Sequence, residues 1–253
     1  MKRTTILILA AVLCNSILTA ESARAIVDKA DEPFRGTRIY SLSEMTVYRS
    51  GEARPTLEIE GYSMREEGKE LSLSLYLGPA RMKGTAYLMI ENDLWVRFAS
   101  TGRIRKLSSS AKKNSAGGTD FSYYDMADSG QGFAEDYTLK LESENEKIQG
   151  QRCYQIALVP EPGSDIPYEK VVCIITREDY RYLELEYYED GAHIKTLSFS
   201  DYRNVNGRNY PFRYEMVSHT QPSRTEVIVK TVEFDSPEVE LSMFCVPYLR
   251  KIR

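Results

Sequence analysis

The chain has 253 residues, a formal net charge of −4 and a sequence pI of about 5.5. This length suits one large β domain or two small domains. The acidic balance, without a visible basic face, argues against nucleic acid as a partner. No cluster of residues has the spacing of a metal site, and no cofactor motif is present, so we expect neither a metal ion nor a cofactor.

The first 25 residues are typical of a cleavable secretory signal peptide. A basic start at residues 2 and 3 is followed by an apolar stretch over residues 6–18 and by small residues. The apolar stretch is too short to anchor the chain stably in a bilayer. We expect cleavage after Ala25, with Ala20 as the alternative, and a soluble product in the periplasm.

The next segment predicts an N-terminal helix over residues 23–34. Ile26, Val27, Ala30 and Phe34 share one face at helical spacing, and Gly36 can end the helix. We expect this apolar face to pack on a sheet.

From residue 55 onward, apolar residues alternate with polar ones at the period of a β-strand. Residues 71–77 place four leucines on one face, and Asn206-Gly207 is typical of a tight hairpin turn. The predicted strands cover residues 56–60, 71–77, 86–90, 94–98, 137–141, 154–159, 171–176, 182–188, 195–202, 212–217 and 226–234. This succession, without interleaved helices, predicts a mainly β, antiparallel meander. No linker or repeat divides it, so we expect one domain over residues 26–253.

Residues 105–135 form the longest stretch without strand periodicity. Irregular segments of this length in a compact domain are usually functional or disordered. We expect one or two short helices here, lying with loops over the mouth of the sheet.

Three cysteines remain after the expected processing, and an oxidising compartment favours a disulfide. Cys153 and Cys173 lie in neighbouring predicted strands and would face each other if those strands pair as a hairpin. Pairing of either cysteine with Cys245 is the alternative.

The sequence gives little support for an enzyme. Known nucleophile, metalloprotease and nucleotide-binding motifs are missing, and the two histidines have no nearby nucleophile. Asp120 and Asp125 could act as paired carboxylates, but capping or loop hydrogen bonds explain such residues more often. We expect binding without catalysis and keep a hydrolase as the last-ranked alternative.

The apolar strand faces pose a physical problem. Together they would expose roughly several hundred Å² of apolar surface, which soluble monomers rarely do. We expect the N-terminal helix and the 105–135 segment to cover this surface in the empty protein and an acyl chain to replace them in the loaded protein. An ordinary sandwich core is the alternative. The many tyrosines either reflect strand propensity or line an apolar site with polar tips.

Several sequence blocks resemble the LolA-like outer-membrane lipoprotein-sorting proteins, in the branch often found with RND-type exporters. The most specific block reads GTDFSYYDM. The resemblance rests on Pro79-Ala80-Arg81, Lys83-Gly84-Thr85, Trp95, Arg103-Ile104-Arg105-Lys106 and the block from Gly118 to Asp125.

This resemblance implies a single antiparallel, strongly curved sheet of about eleven strands, an unclosed half-barrel with helical lids. It also implies a cargo of an acylated lipoprotein or a lipid, held on the concave face and delivered towards the outer membrane by a monomer. A lipid-sensing partner or accessory subunit of an inner-membrane exporter is the alternative. The predicted lining of the cavity and lid comprises Arg54, Leu57, Ile59, Leu71, Leu73, Leu75, Leu77, Trp95, Phe98, Phe121 and Tyr123.

Overall fold

The protein is a single large antiparallel sheet with four short helices in the ranges 21–127 and 137–252, which the computed structural model describes. The helices are α1 (Ala23–Asp31), α2 (Ser109–Lys112), α3 (Tyr123–Ala127) and α4 (Val246–Leu249), and 3-10 helices cover Glu32–Phe34 and Leu241–Met243. None of the helices in these ranges is long and apolar enough to cross a membrane.

The described residues form fourteen strands. They are β1 (Arg38–Arg49), β2 (Glu52–Ala53), β3 (Leu57–Glu66), β4 (Lys69–Gly78), β5 (Ala86–Ile90), β6 (Asp93–Arg97), β7 (Ile104–Lys106), β8 (Tyr137–Ile148), β9 (Gln151–Pro160), β10 (Lys170–Thr176), β11 (Tyr182–Glu189), β12 (Ala192–Val205), β13 (Arg208–Ser218) and β14 (Ser223–Phe234).

The sheet order is β7-β6-β5-β4-β3-β1-β14-β13-β12-β11-β10-β9-β8, with β2 paired to β1 at the side. Strands β7 and β8 stand at its two ends, so the sheet is not closed into a barrel. The segment between them along the chain is the irregular stretch predicted to form a lid. The opening in the sheet therefore lies where the sequence inserts that segment.

The sheet is strongly curved, as one side chain that contacts both of its halves shows. Lys112 Nζ donates to the carbonyl of Asn92, in the β5–β6 turn, at 2.5 Å and to Asp165, in the β9–β10 loop, at 3.0 Å. A flat sheet would hold these two connections roughly 35–45 Å apart at about 4.8 Å per strand. The concave side is consequently an enclosed interior.

The N-terminal helix packs into this interior as predicted. Ile26, Val27, Ala30 and Phe34 are all buried, and they contact the apolar residues of the sheet's concave face. Helix α1 begins after Ser22, whose side chain accepts a hydrogen bond from the backbone N–H of Ala25. We call the residues buried on the concave side the inner cluster.

A second apolar cluster, the outer cluster, lies on the convex side. Here the C-terminal segment, including Val239, Phe244 and Leu249, covers the outer faces of β3, β4 and β5.

The predicted meander is confirmed, and each predicted strand lies on an observed one. The hairpin at Asn206-Gly207 joins β12 to β13, and both turn residues have positive φ, 51° and 85°, as a type I′ turn requires. Strand β1 was not predicted, although it pairs with β3 and β14 at the centre of the sheet.

The expected disulfide between Cys153 and Cys173 is wrong. In the β9–β10 pairing, Cys153 lies opposite Thr176 and Cys173 lies opposite Ile156, so the two side chains point to opposite faces of the sheet. Cys173 belongs to the inner cluster, and Cys153 packs on the convex side. Both are free thiols, as is Cys245, which excludes the two alternative pairings in this structure.

Candidate functional site

The concave face is rich in phenol side chains. Seven buried tyrosines belong to the inner cluster: Tyr76, Tyr87, Tyr137, Tyr154, Tyr168, Tyr182 and Tyr187. Aliphatic residues such as Leu57, Ile156 and Leu185 lie between them. A tyrosine offers an apolar ring and a hydroxyl that needs a partner when it is buried. This interior therefore suits a guest with both apolar and polar parts.

The predicted lining residues do not share one face. Leu57, Ile59 and Phe121 are buried in the inner cluster, and Phe98 and Tyr123 pack against it. These five residues form the part of the predicted set that the structure brings together on the concave side.

Leu71, Leu73, Leu75 and Trp95 lie on the convex side, which corrects the expected grouping. Leu71 and Leu73 are buried in the outer cluster, and Leu75 and Trp95 pack against it. The four-leucine face of β4 is therefore covered by the C-terminal segment and not by the N-terminal helix or the lid. Alternation along a strand defines two faces without telling which is concave.

The remaining two predicted residues also lie away from the concave side. Leu77 lines an outer groove of about 310 Å³ together with Leu75, Lys83, Tyr248 and Ile252. Arg54 is exposed just after β2, and its backbone N–H donates to the carbonyl of Val47 at 2.8 Å.

Helix α1 covers one part of the concave face and is attached there by polar bonds. The hydroxyl of Tyr182 donates to Asp31 Oδ1 at 2.7 Å, and Asp31 has no exposed surface. The hydroxyl of Tyr180 accepts from Lys29 Nζ, in the last turn of the helix, at 3.1 Å and donates to Glu21, just before the helix, at 3.0 Å. Burial and the Asp31 carboxylate raise the pKa of Tyr182 well above its ordinary value.

Residues 107–127, which we call the lid, cover another part of the concave face. Residues 128–135 of the expected lid lie outside the described ranges. Phe121 and Met126 of the lid enter the inner cluster, and the Ser74 hydroxyl on β4 donates to the Met126 carbonyl at 3.0 Å. Tyr76 and Tyr87 of the sheet and Tyr123 of the lid pack edge to face at 5.5 and 5.6 Å between ring centroids.

Gly117 allows the lid to approach the sheet closely. Its φ of +61° favours glycine, and a Cβ there would lie 3.2 Å from Met82 and 3.9 Å from the hydroxyls of Tyr76 and Tyr87. Gly117, which directly precedes the GTDFSYYDM block, thus has a steric role in seating the lid.

The first carboxylate of the GTDFSYYDM block fastens the lid to β14. Asp120 accepts hydrogen bonds from Ser223 and, at 2.6 Å, from Thr225. Its own backbone N–H donates to Thr225 Oγ1 at 2.9 Å. From the neighbouring strand, Arg49 donates to the carbonyl of Gly118 at 3.0 Å.

The second carboxylate of the block pairs with a buried lysine. Asp125 forms an ion pair with Lys195 on β12, and the two side chains are 8% and 9% exposed. Tyr168 donates to Asp125 Oδ1 at 2.6 Å, and the backbone N–H of Ser122 donates to Oδ2 at 2.7 Å. Burial, followed by the Asp125 charge, raises the pKa of Tyr168 well above its ordinary value.

Two hollows border the inner face. One, of about 130 Å³, lies where Phe34 and Tyr210 face the small inner residues of β1, β3 and β4, including Ser41, Gly61 and Ser74. A Cβ at Gly61 would come within 2.6 Å of the Ser41 hydroxyl, so any other residue there requires the Ser41 side chain to move. The other, of about 190 Å³, lies at the edge of the lid and reaches Lys195 and Tyr168.

Sequence reasoning missed Lys195, Tyr168 and Arg49 as site residues. A signal for Lys195 does exist, because it alternates in phase with Leu197 and Phe199, the inward residues of β12. A lysine on an otherwise apolar strand face requires a partner in the folded protein. Nothing comparable in the sequence marks Arg49.

Comparison with known proteins yields a family and several related structures. A protein-family model described as "Uncharacterized protein" matches residues 68–251. No curated protein matches the chain.

Three solved structures share the fold over nearly their whole length. A DUF1329 family protein from Desulfovibrio piger is 23% identical with a TM-score of 0.79, and the match covers 90% of this chain and 98% of that one. A putative outer membrane lipoprotein-sorting protein domain from Vibrio parahaemolyticus is 22% identical, with a TM-score of 0.76 and coverage of 90% and 100%. A LolA superfamily protein from Nitrosomonas europaea is 23% identical, with a TM-score of 0.75 and the same coverage.

The family model spans well over half of the chain. The structural matches share the fold of this chain, which is a single, unclosed antiparallel sheet. The chain therefore belongs to the family of that model and has the fold of the LolA-like lipoprotein-sorting proteins, which confirms the resemblance found in the sequence.

Proposed function

We propose that this protein is a periplasmic carrier that binds the acyl chains of a lipoprotein or lipid on its concave face and delivers them towards the outer membrane. The observation that carries this proposal is that the apolar interior is covered by α1 and the lid, two segments outside the sheet. These covers are attached through a few polar bonds, including Tyr182 to Asp31 and Asp125 to Lys195. Displacing them would open the face without unfolding a strand.

The energetics favour such an exchange. An acyl chain of about fifteen methylenes gains roughly 10 kcal/mol on burial, at about 0.8 kcal/mol per methylene. Displacement of the covers subtracts from this gain, because the apolar contacts of Phe34, Phe121 and Met126 are lost. A small net affinity would allow the carrier to release its cargo. The fold shared with proteins described as lipoprotein-sorting supports the same function.

The N-terminal contacts bear on where a signal peptide would be removed. Cleavage after Ala25 would remove Glu21 and the Ser22 cap, whereas cleavage after Ala20 would retain both. A retained cap is worth about 1 kcal/mol to a helix. We therefore favour Ala20 as the cleavage position, and mass spectrometry of the mature protein would identify it.

A reversible lock on the lid tests the carrier function. Asp120 and Ser223 are in side-chain contact across the lid–sheet boundary, so Asp120→Cys with Ser223→Cys, in a Cys245→Ser background, can form a bridge. We expect the oxidised variant to take up no fluorescent acyl probe and the reduced variant to regain uptake. Cys245→Ser alone is the control and should bind the probe equally under both conditions.

Equal uptake by the bridged and reduced forms, with the bridge verified by mass, would show that the probe binds elsewhere and would refute the proposal. Transfer of the bound probe to outer-membrane vesicles then separates a carrier from a sensor. Stable binding to an exporter subunit without any transfer would favour the lipid-sensing alternative.

A further inference from the structure

The inner face of β12 carries one ammonium group, Lys195, among apolar neighbours. Only 7% of the residue is exposed, and the aromatic rings of Tyr168 and Tyr187 lie 4.9 Å from its Nζ. Two phenol rings at this distance hold a cation in place. Lys195 is thus positioned by the sheet side of the interior, whether or not the lid is present.

The partner of this cation belongs to the lid. Asp125, in α3, accepts from Lys195 and from the hydroxyl of Tyr168, which lies just before β10. Both donors therefore remain with the sheet when the lid moves. A buried ammonium that loses its counter-charge is strongly destabilising. Opening of the lid therefore leaves the ammonium either to solvent or to a replacement anion at this position.

A passage leads from solvent to the same donors. The hollow of about 190 Å³ at the lid edge is lined by Lys195, Tyr168 and Ser122, with Lys113 and Asp120 at its margin. Lys113 is paired with Glu189 at 2.7 Å, and Asp120 is bound by Ser223 and Thr225. Since one water occupies about 30 Å³, the hollow has room for a small head group.

We propose that Lys195 and Tyr168 form an anion site, which Asp125 of the lid occupies in the closed protein and the carboxylate or phosphate head group of an amphiphilic cargo occupies in the loaded protein. This inference rests on the proposed carrier function and specifies its cargo as an anionic amphiphile. The acyl chain enters the apolar interior, and the head group takes the place of the lid carboxylate.

Binding of matched anionic and neutral amphiphiles tests the site. Oleate carries a carboxylate and oleoyl-lysophosphatidylglycerol carries a phosphate. Monoolein carries the same oleoyl chain on a head group without charge. Below their micelle concentrations, calorimetry should show that the wild-type protein prefers the anionic ligands. Lys195→Met should weaken binding of the anionic ligands by on the order of tenfold or more and leave monoolein nearly unchanged, because it removes a charge-assisted hydrogen bond.

Asp125→Asn should raise the ratio of the affinity for the anionic ligands to the affinity for monoolein, which Lys195→Met lowers. It removes the competing charge of the lid while keeping its shape, so the preference for anionic ligands should increase several-fold. Asp125→Asn combined with Lys195→Met removes both charges and guards against misfolding of the single Lys195 variant. This double variant should show no preference. Lys230→Met, which removes an exposed ammonium paired with Glu44, is the control and should behave as the wild type.

The outcomes separate the two proposals. Parallel changes for anionic and neutral ligands in both single variants would show that the pair only fastens the lid, which overturns the anion site and leaves the carrier function standing. A wild-type protein that binds none of the three ligands would overturn both. A preference confined to oleate or to lysophosphatidylglycerol identifies which head group the site accepts.

Discussion

Asp31 is a fully buried carboxylate at the C-terminal end of α1, where the helix dipole disfavours a negative charge. It is held there by the hydroxyl of Tyr182 and by the guanidinium of Arg35 at 3.8 Å. A buried charge of this kind ties the helix to one place on the sheet.

Tyr182→Phe should therefore lower the free energy of unfolding by about 1.5–3 kcal/mol, the usual contribution of a hydrogen bond to a charged group. Urea denaturation measures this change. Tyr40→Phe is the control, because the Tyr40 hydroxyl binds Glu60 at 3.2 Å in a partly exposed position and its loss should cost at most about 1 kcal/mol. Equal effects of the two substitutions would contradict the structural role given to Asp31.

Single residues also show the limits of prediction from sequence. The burial of Ile26, Val27, Ala30 and Phe34 followed directly from helical spacing. The contacts of Lys195 depend on a lid residue 70 positions earlier in the chain, and no local pattern encodes such a pairing. The alternation along β12 is compatible with Lys195 on an apolar face, but it does not tell which group neutralises the lysine.

At the level of elements, strand β4 illustrates why the cavity lining was partly misplaced. Its leucines form the more apolar face, yet register pairs them with the outward residues Met64, Tyr62 and Glu60 of β3. Ser72, Ser74 and Tyr76 face the interior instead. The C-terminal segment makes the apolar outer face possible, because it shields the leucines from water.

Strand β1 was missed for a related reason. Its inward residues include Ser41 and Ser43 along with Ile39 and Met45, so apolar alternation is weak. Pairing on both sides stabilises a strand that its sequence alone does not predict.

The division between the two clusters can be tested at the C-terminal helix. Leu249→Ala, at a position with no exposed surface, should destabilise the fold by about 2–5 kcal/mol through loss of apolar contacts and the cavity left behind. The affinity of the folded protein for an acyl probe should be unchanged, since Leu249 lies on the convex side. Leu241→Ala, at a site that is 53% exposed, is the control and should change neither quantity appreciably.

An acyl-probe affinity that falls with Leu249→Ala, measured where the variant is fully folded, would contradict this division. It would mean that the outer cluster and the interior communicate.

For the whole molecule, the tyrosines make stability sensitive to alkali. Burial and neighbouring carboxylates raise the pKa of Tyr40 and of Tyr188 to about 12. Burial also raises the pKa of Tyr168, Tyr182 and Tyr214 well above the ordinary value. The ordinary pKa of tyrosine is about 10. Above that pH the unfolded chain loses these protons while the folded protein keeps them.

Because the folded protein then binds more protons than the unfolded chain, its stability should be complete below about pH 10 and should fall as the pH rises towards about 12. Urea denaturation at a series of pH values measures the fall, and tyrosinate absorbance follows the deprotonation. Stability that stays constant while all tyrosines ionise would contradict the buried phenol interior.

The fold itself was largely predictable, since its fourteen strands follow an antiparallel meander of which about eleven were expected. Apolar alternation does not predict that β1 pairs with β14. In this pairing Met45 lies opposite Val227, although most of the chain separates the two residues in sequence. Every other neighbouring pair along the sheet path is consecutive, or separated only by β2.

That one distant pairing divides the sheet into two arms with only local connections, β1 to β7 and β8 to β14. Each arm can form early, whereas joining them closes a loop of nearly the entire chain and waits for the last strand to be synthesised. The sheet of such a polypeptide remains incomplete until its C-terminal region is available. For the periplasmic carrier proposed above, such a delay would allow the chain to cross a translocation channel in extended form before it folds.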